Sequence, residues 1–173
     1  DPSAGVQVSP SPGESRGPHT MGSGKVYYSD ANNLGPNAPF YEYDVATDTW
    51  TQRSSLPEAN TTQLASDELG KVYSLPEDGK IYRYDPSTDS WVFVMNGPPA
   101  SVGRNNVSMF EAHNGEFYWG NDRTTPLYYT VGGAWNSIPT PRTISSGSAV
   151  DWSTGLIYIR TVTELGFFAF DPA

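Results

Sequence analysis

The chain has no cysteine, few lysines and no long apolar run among its 173 residues. The absence of cysteine excludes a disulfide framework and any zinc site built on thiolates. The net charge is −9 with only three lysines, which argues against nucleic acid, whose phosphates need a basic surface. The same balance argues against an anionic membrane surface. Because no apolar stretch approaches the ~20 residues of a membrane span, membrane insertion is not expected.

What the chain has instead is typical of β-structure. Aromatic residues make up 13% of it, and there are 17 glycines and 15 prolines. Aromatic and β-branched side chains favour strands, whereas glycine and proline at short intervals mark turns. The composition therefore predicts an all-β domain with many short strands.

A repeat of about 42 residues runs along the chain four times, a period typical of repeat architectures. Its first landmark reads Gly24-Lys-Val-Tyr, Gly70-Lys-Val-Tyr, Gly115-Glu-Phe-Tyr and Gly155-Leu-Ile-Tyr, with glycine spacings of 46, 45 and 40. The second reads Tyr41-Glu-Tyr-Asp44, Tyr82-Arg-Tyr-Asp85, Tyr128-Tyr-Thr130 and Phe168-Ala-Phe-Asp171. The third is a tryptophan, at Trp50, Trp91 and Trp135. Three landmarks in constant order indicate one structural unit used four times.

Repeat two reads most clearly as four strands, over 61–66, 71–75, 80–84 and 91–95. Short turns rich in Gly, Asp and Ser separate them, which predicts an antiparallel meander. Such sheets bury both faces when copies stack radially. We therefore predict a β-propeller of four four-stranded antiparallel blades, with the repeated tryptophans between blades.

The expected organisation is a single domain over 1–173, with repeats at approximately 16–57, 60–99, 104–141 and 142–173. The last repeat stops before its tryptophan segment, whereas Asp1-Pro-Ser at the front resembles Asp85-Pro-Ser. A strand predicted over 4–10 therefore supplies the missing fourth strand, and its central residues are Gly5, Val6, Gln7 and Val8. It serves its own chain, or a neighbouring subunit in a filament. Half of an eight-bladed ring is a further alternative.

The landmarks resemble those of the kelch family of propellers across essentially the whole chain. The resemblance is carried by Gly-Lys-Val-Tyr, by Tyr-x-Tyr-Asp-x-x-Thr-Asp-x-Trp and by the Leu56-Pro57 step. The kelch Gly-Gly pair after the second strand is missing. Kelch-type blades also build a copper oxidase that needs a Tyr–Cys crosslink, which this chain cannot form. We expect no cofactor and no metal, with His19 and His113 as solvated turn residues.

Arg16, Arg104 and Arg142 stand just before the first strand of three repeats, with Asn60 in the corresponding place in repeat two. Since first strands line the axis of a propeller, three converging guanidiniums are a candidate carboxylate or sulfate site. The alternative is that these arginines pair with loop carboxylates or cap carbonyls. The recurring acidic residues Glu42, Asp44, Asp48, Asp85 and Asp89 are expected to form turns, not a calcium site.

Two sequons, Asn60-Thr-Thr and Asn106-Val-Ser, are candidate glycosylation sites, and chance explains each equally well. Few lysines, many Ser, Thr and Pro residues and the acidic charge fit an extracellular or cell-surface protein. The sequence thus favours a non-catalytic binding or structural module that contacts itself, or an extracellular protein or glycan, through its blade loops. One alternative is a carbohydrate-active enzyme that uses the arginine-lined axis. The other is an intracellular kelch-type adaptor.

Overall fold

The computed structural model describes residues 8–12, 19–29, 38–57, 61–76, 79–98, 107–121, 127–140, 144–161 and 167–171. These residues form fifteen strands. Among them there is no helix with the length and apolarity that a membrane crossing requires. The all-β prediction is confirmed.

The strands form four antiparallel sheets, and each sheet contains strands that are consecutive in the chain. Blade 1 contains β1 (His19–Gly22), β2 (Lys25–Ser29), β3 (Phe40–Asp44) and β4 (Thr49–Arg53). Blade 2 contains β5 (Thr61–Ser66), β6 (Val72–Pro76), β7 (Lys80–Asp85) and β8 (Ser90–Asn96). Blade 3 contains β9 (Val107–His113), β10 (Glu116–Asn121), β11 (Leu127–Val131) and β12 (Ala134–Ile138). Blade 4 contains, within the described residues, β13 (Ile144–Val150), β14 (Ile157–Thr161) and β15 (Phe167–Phe170). The fold is the predicted four-bladed β-propeller.

Aromatic and aliphatic side chains fill the spaces between consecutive blades. Between blades 1 and 2, Tyr27, Phe40 and Leu56 meet Leu64, Val72, Tyr84 and Trp91. The ring centroids of Phe40 and Trp91 are 4.9 Å apart. Trp135 packs in the same way against the cluster between blades 2 and 3. The prediction that repeated tryptophans stabilise the stack between blades is confirmed for these two residues.

The turn between the first and second strands of each blade contains the first landmark glycine. Gly70 adopts a φ of 74°, in the left-handed region that side chains with a Cβ disfavour. It also packs directly on the equivalent turn of blade 1, because a Cβ at this position would lie 2.7 Å from the backbone nitrogen of Ser23. These turns stack side by side on one face of the propeller, which we call the hairpin face.

First strands of consecutive blades pack against one another, β1 on β5, β5 on β9 and β9 on β13. Among the described strands, β13 and β1 have no comparable packing. The described blades therefore form a continuous series from blade 1 to blade 4, and the described parts of β13 and β1 do not repeat the packing found at the other three joints.

Glu42 does not form a turn, contrary to the sequence expectation. It lies on β3 and is only 3% exposed. Lys25 Nζ lies 2.5 Å and Arg53 Nη2 3.0 Å from its carboxylate. Burial raises the pKa of Glu42, but these two cations hold it below its ordinary value overall. A carboxylate that has two cationic partners within its own blade can be buried without an unpaired charge.

Candidate functional site

Most residues predicted to form a site lie outside the described part of the chain. These are Arg16, Asn60, Arg104, Arg142, Asn106, Gly5, Val6 and Gln7. Val8 is described and is 53% exposed. Residues 8–10, predicted as the end of a strand, lie in irregular backbone, where Pro10 has no N–H to give to a ladder. The described residues instead point to two other features, a contact between blades and a cavity.

The first feature is a clamp by which one blade holds the segment that precedes it. In blade 2, Asp89 Oδ1 accepts hydrogen bonds from the Ser54 backbone N–H at 3.0 Å and the Tyr84 hydroxyl at 2.7 Å. The indole N–H of Trp91 donates to the Ser54 carbonyl at 3.0 Å. Since Ser54 directly follows β4, this Asp–Trp clamp fastens the outer strand of blade 1 to blade 2.

Blade 1 makes the same clamp with the N-terminal part of the chain. Asp48 Oδ1 accepts from the Ser9 backbone N–H at 2.8 Å and from the Tyr43 hydroxyl at 2.6 Å. Trp50 donates its indole N–H to the Ser9 carbonyl at 3.1 Å. Ser9 therefore takes, beside blade 1, the place that Ser54 takes beside blade 2.

Blade 3 keeps only the tryptophan half of the clamp. Trp135 donates its indole N–H to the carbonyl of Asn96, the last residue of β8, at 2.8 Å. Gly132 and Gly133 form the turn between β11 and β12, where the other two blades have an aspartate. The tryptophan contact with the preceding segment of the chain is thus the part that all three blades share.

The clamp explains why Thr-Asp-x-Trp recurs in the sequence. Asp48 and Asp89 have φ values of 52° and 48°, which aspartate tolerates better than most residues. The Tyr43 hydroxyl and the Ser9 N–H hold the pKa of Asp48 below its ordinary value. The Ser54 N–H and the Tyr84 hydroxyl do the same for Asp89. Sequence reasoning predicted the turns but missed the contact with the preceding segment, although Asp-x-Trp at a fixed offset was its signal.

The second feature is a cavity of about 420 Å³ on the hairpin face, where turns of three blades meet. It is lined by Glu68 of blade 2, by His113, Asn114 and Tyr118 of blade 3, and by Trp152, Ser153, Thr154, Gly155 and Asp171 of blade 4. Trp152 is 47% exposed, so an indole surface is accessible at the rim. The cavity thus combines aromatic surface with two carboxylates.

Aspartates brace the two turns that carry the outer cavity residues. Asp151 accepts hydrogen bonds from the Ser153 N–H at 3.0 Å and the Thr154 hydroxyl at 2.8 Å, in the turn that carries the exposed Trp152. Asp67 accepts from the Leu69 N–H at 3.0 Å, in the turn that carries Glu68. Because each turn is braced by side-chain contacts to its own backbone, the walls of the cavity are preorganised.

His113 is buried, contrary to the expectation of a solvated turn residue. It is 6% exposed, and a Cβ on Gly155 would lie 3.3 Å from its Nε2, so the turn of blade 4 covers the ring. Its Nδ1 lies 3.2 Å from Glu68 Oε2, although no hydrogen bond forms there. Sequence reasoning placed His113 on a turn but had no means of knowing that the next blade covers it.

Glu68 carries a negative charge into the cavity. Its carboxylate accepts from the Asn114 backbone N–H at 3.0 Å. Burial raises the pKa of Glu68, but the Asn114 N–H and the His113 ring hold it below the ordinary value overall. Across the residues that the structure describes, no group of three or more His, Cys, Asp or Glu side chains is arranged to hold a metal ion.

The chain matches no protein family and no curated protein sequence. Among solved structures it is similar to a chain in the crystal structure of a nidogen/laminin complex, with a TM-score of 0.68 and 11% sequence identity. The match covers 90% of this chain and 60% of that one, so the chain spans less than two thirds of the length of its structural neighbour. At this identity the likeness shows the β-propeller fold alone.

Proposed function

We propose that the chain is a non-catalytic structural and binding module that works outside the cell, and that its subunits join head to tail through the N-terminal segment. The observation that carries this proposal is the Asp–Trp clamp on Ser9. Kelch-type landmarks, few lysines and the sequons at Asn60 and Asn106 support the remaining parts, namely a kelch-like blade, an extracellular location and glycosylation.

The contacts of Ser9 with blade 1 support the proposal that the N-terminal segment belongs to the blade that precedes blade 1. Ser54 is held by blade 2 because it directly follows β4, the outer strand of blade 1. Ser9 is held by blade 1 through the same three kinds of contact. We therefore propose that the N-terminal segment acts as an outer fourth strand; β15 is the outermost described strand of the three in blade 4.

The recipient of this strand is a second copy of the chain. Closure within one chain would bring β13 beside β1, as β5 lies beside β1, but the described strands lack comparable packing. A strand that completes a neighbour's sheet uses backbone hydrogen bonds and removes an open edge. Since the donor and acceptor surfaces differ, each added subunit presents a new acceptor and the assembly grows as a filament.

The binding part of the proposal concerns the hairpin face. Its turns are braced and carry the cavity, and the similar solved structure comes from a complex between two proteins. Propellers commonly present such turns to other macromolecules, although fold alone does not decide function. We therefore place the contact with a protein partner on this face.

The test of assembly is particle mass and shape, by multi-angle light scattering and negative-stain imaging. We expect the full chain to form particles much heavier than 18.9 kDa, and a chain without residues 1–10 to stay monomeric. A synthetic peptide of residues 1–12 should shorten the particles by occupying free acceptor edges, whereas a scrambled peptide should not. A compact 18.9 kDa monomer of the full chain would refute strand exchange and favour closure within one chain. A uniform dimer would favour an eight-bladed ring.

A further inference from the structure

The cavity on the hairpin face has the chemistry of a site for a cation. Glu68 and Asp171 contribute carboxylates, and no lysine or arginine lines it within the described residues. His113 is the one basic residue among the described residues of the lining, and the turn of blade 4 covers its ring. Inside a concave site such carboxylates attract a positive group more strongly than they do on an open surface.

The aromatic wall of the cavity adds a preference for a planar cation. Trp152 is 47% exposed although it is a large apolar side chain, and Asp151 braces the turn that presents it. An indole face attracts a cation, and a planar guanidinium also stacks on it. Guanidinium binds carboxylates through paired N–H donors, so it suits both walls better than a compact ammonium group.

The orphaned histidine nitrogen is a third observation that points to a ligand. His113 is 6% exposed and its Nδ1 has no hydrogen-bond partner, although Glu68 Oε2 lies 3.2 Å away. Buried polar atoms in folded proteins are nearly always paired. Glu68 accepts from the Asn114 backbone N–H, so a cationic ligand in the cavity adds a further donor to this carboxylate beside the imidazole.

We propose that this cavity binds an arginine side chain of a partner protein, with the guanidinium stacked on Trp152 and paired with the carboxylates of Glu68 and Asp171. The inference rests on the proposed binding role of the hairpin face, and is independent of strand exchange. The net charge of −9 favours a basic partner in the same way.

The test is calorimetric titration of the full chain with a short Gly/Ser peptide that contains one arginine. Its counterpart has citrulline, which keeps the shape and loses the charge. We expect the arginine peptide to bind and the citrulline peptide to bind about tenfold more weakly, because a charge-assisted pair is lost. Trp152→Ala and Asp171→Asn should each weaken arginine binding about five- to tenfold.

Matched controls separate the cavity from the general surface. Phe93→Ala removes another exposed aromatic residue, on β8, and Asp85→Asn removes a turn carboxylate of blade 2; neither should alter binding. Equal binding of arginine and citrulline, binding of a neutral oligosaccharide in place of the peptide, or no binding of any probe would each overturn the inference. Particle mass, measured on the same variants, should not change. A chain that binds arginine but stays monomeric would contradict strand exchange alone.

Discussion

Asp89 is the residue at which the contribution of the clamp to stability can be measured most directly. Its carboxylate accepts from the Tyr84 hydroxyl and the Ser54 N–H, and Tyr84 is only 2% exposed. Asp89→Gly removes the acceptor and leaves the φ of 48° unstrained. A buried hydroxyl that loses its partner costs about 1–3 kcal/mol. Because Asp89 lies near solvent, we expect Asp89→Gly to destabilise the fold by about 2 kcal/mol, the middle of this range. A loss of this size lowers the Tm of a chain of this length by about 4–8 °C.

The assay is thermal unfolding by circular dichroism at a fixed protein concentration, since self-association shifts the Tm. Asp89→Asn is the matched control, because asparagine tolerates the same backbone conformation and keeps one acceptor oxygen. It should cost less than half as much as Asp89→Gly. A double-mutant cycle with Tyr84→Phe should show coupling between the two side chains. Equal Tm values for Asp89→Gly and Asp89→Asn would refute the view that the acceptor stabilises the joint.

The difference in stability between the wild type and Asp89→Gly should depend on pH in a defined direction. The Ser54 N–H and the Tyr84 hydroxyl hold the folded-state pKa of Asp89 below its ordinary value of 3.8. A carboxyl group whose pKa is lower in the folded state stabilises that state at pH values above its unfolded-state pKa. This stabilisation is lost as the pH falls through the folded-state pKa. The gap between the wild type and Asp89→Gly should therefore be full near neutral pH and shrink below 3.8.

Two further predictions concern other contacts between blades. Burial raises the pKa of Glu111, and the Ser148 hydroxyl, 2.6 Å away, opposes the rise. Glu111→Gln should therefore raise the urea midpoint of unfolding near neutral pH, because it removes a buried charge. This gain should vanish below pH 4.5, where the carboxyl group of the wild type is protonated. A gain that grew toward acid would contradict it. Gly115→Ala should cost about 1–2 kcal/mol through its left-handed φ alone. Gly70→Ala should cost clearly more, because its Cβ also meets the Ser23 backbone at 2.7 Å, and equal losses in urea unfolding would disprove the close approach of the two turns.

The strands of repeat two were predictable almost to the residue. The sequence predicts 61–66, 71–75, 80–84 and 91–95, and the structure has β5, β6, β7 and β8 at Thr61–Ser66, Val72–Pro76, Lys80–Asp85 and Ser90–Asn96. Local signals suffice here because turn glycines and alternating side chains depend only on neighbours in the chain. The four-bladed propeller followed because two landmarks recur four times and the tryptophan three times.

The site was less predictable because it depends on contacts between blades. His113 looked like an ordinary turn residue, since the Gly155 turn that covers it lies in the next repeat. Glu42 looked like a turn residue because it stands among acidic residues that recur at turns, whereas in the structure it lies on β3 and pairs with Arg53 on the following strand. A repeat alignment identifies equivalent positions but does not show which face of one blade meets the next.

The clamp holds its target almost entirely through main-chain atoms. Ser9 and Ser54 are each held by their N–H and carbonyl, and Asn96 by its carbonyl. The main-chain contacts do not depend on which side chain is held, although the Ser9 hydroxyl adds a donor to the Asp48 carbonyl at 3.2 Å. A joint made mainly through main-chain atoms allows the repeats to diverge in sequence while each blade still holds the segment that precedes it.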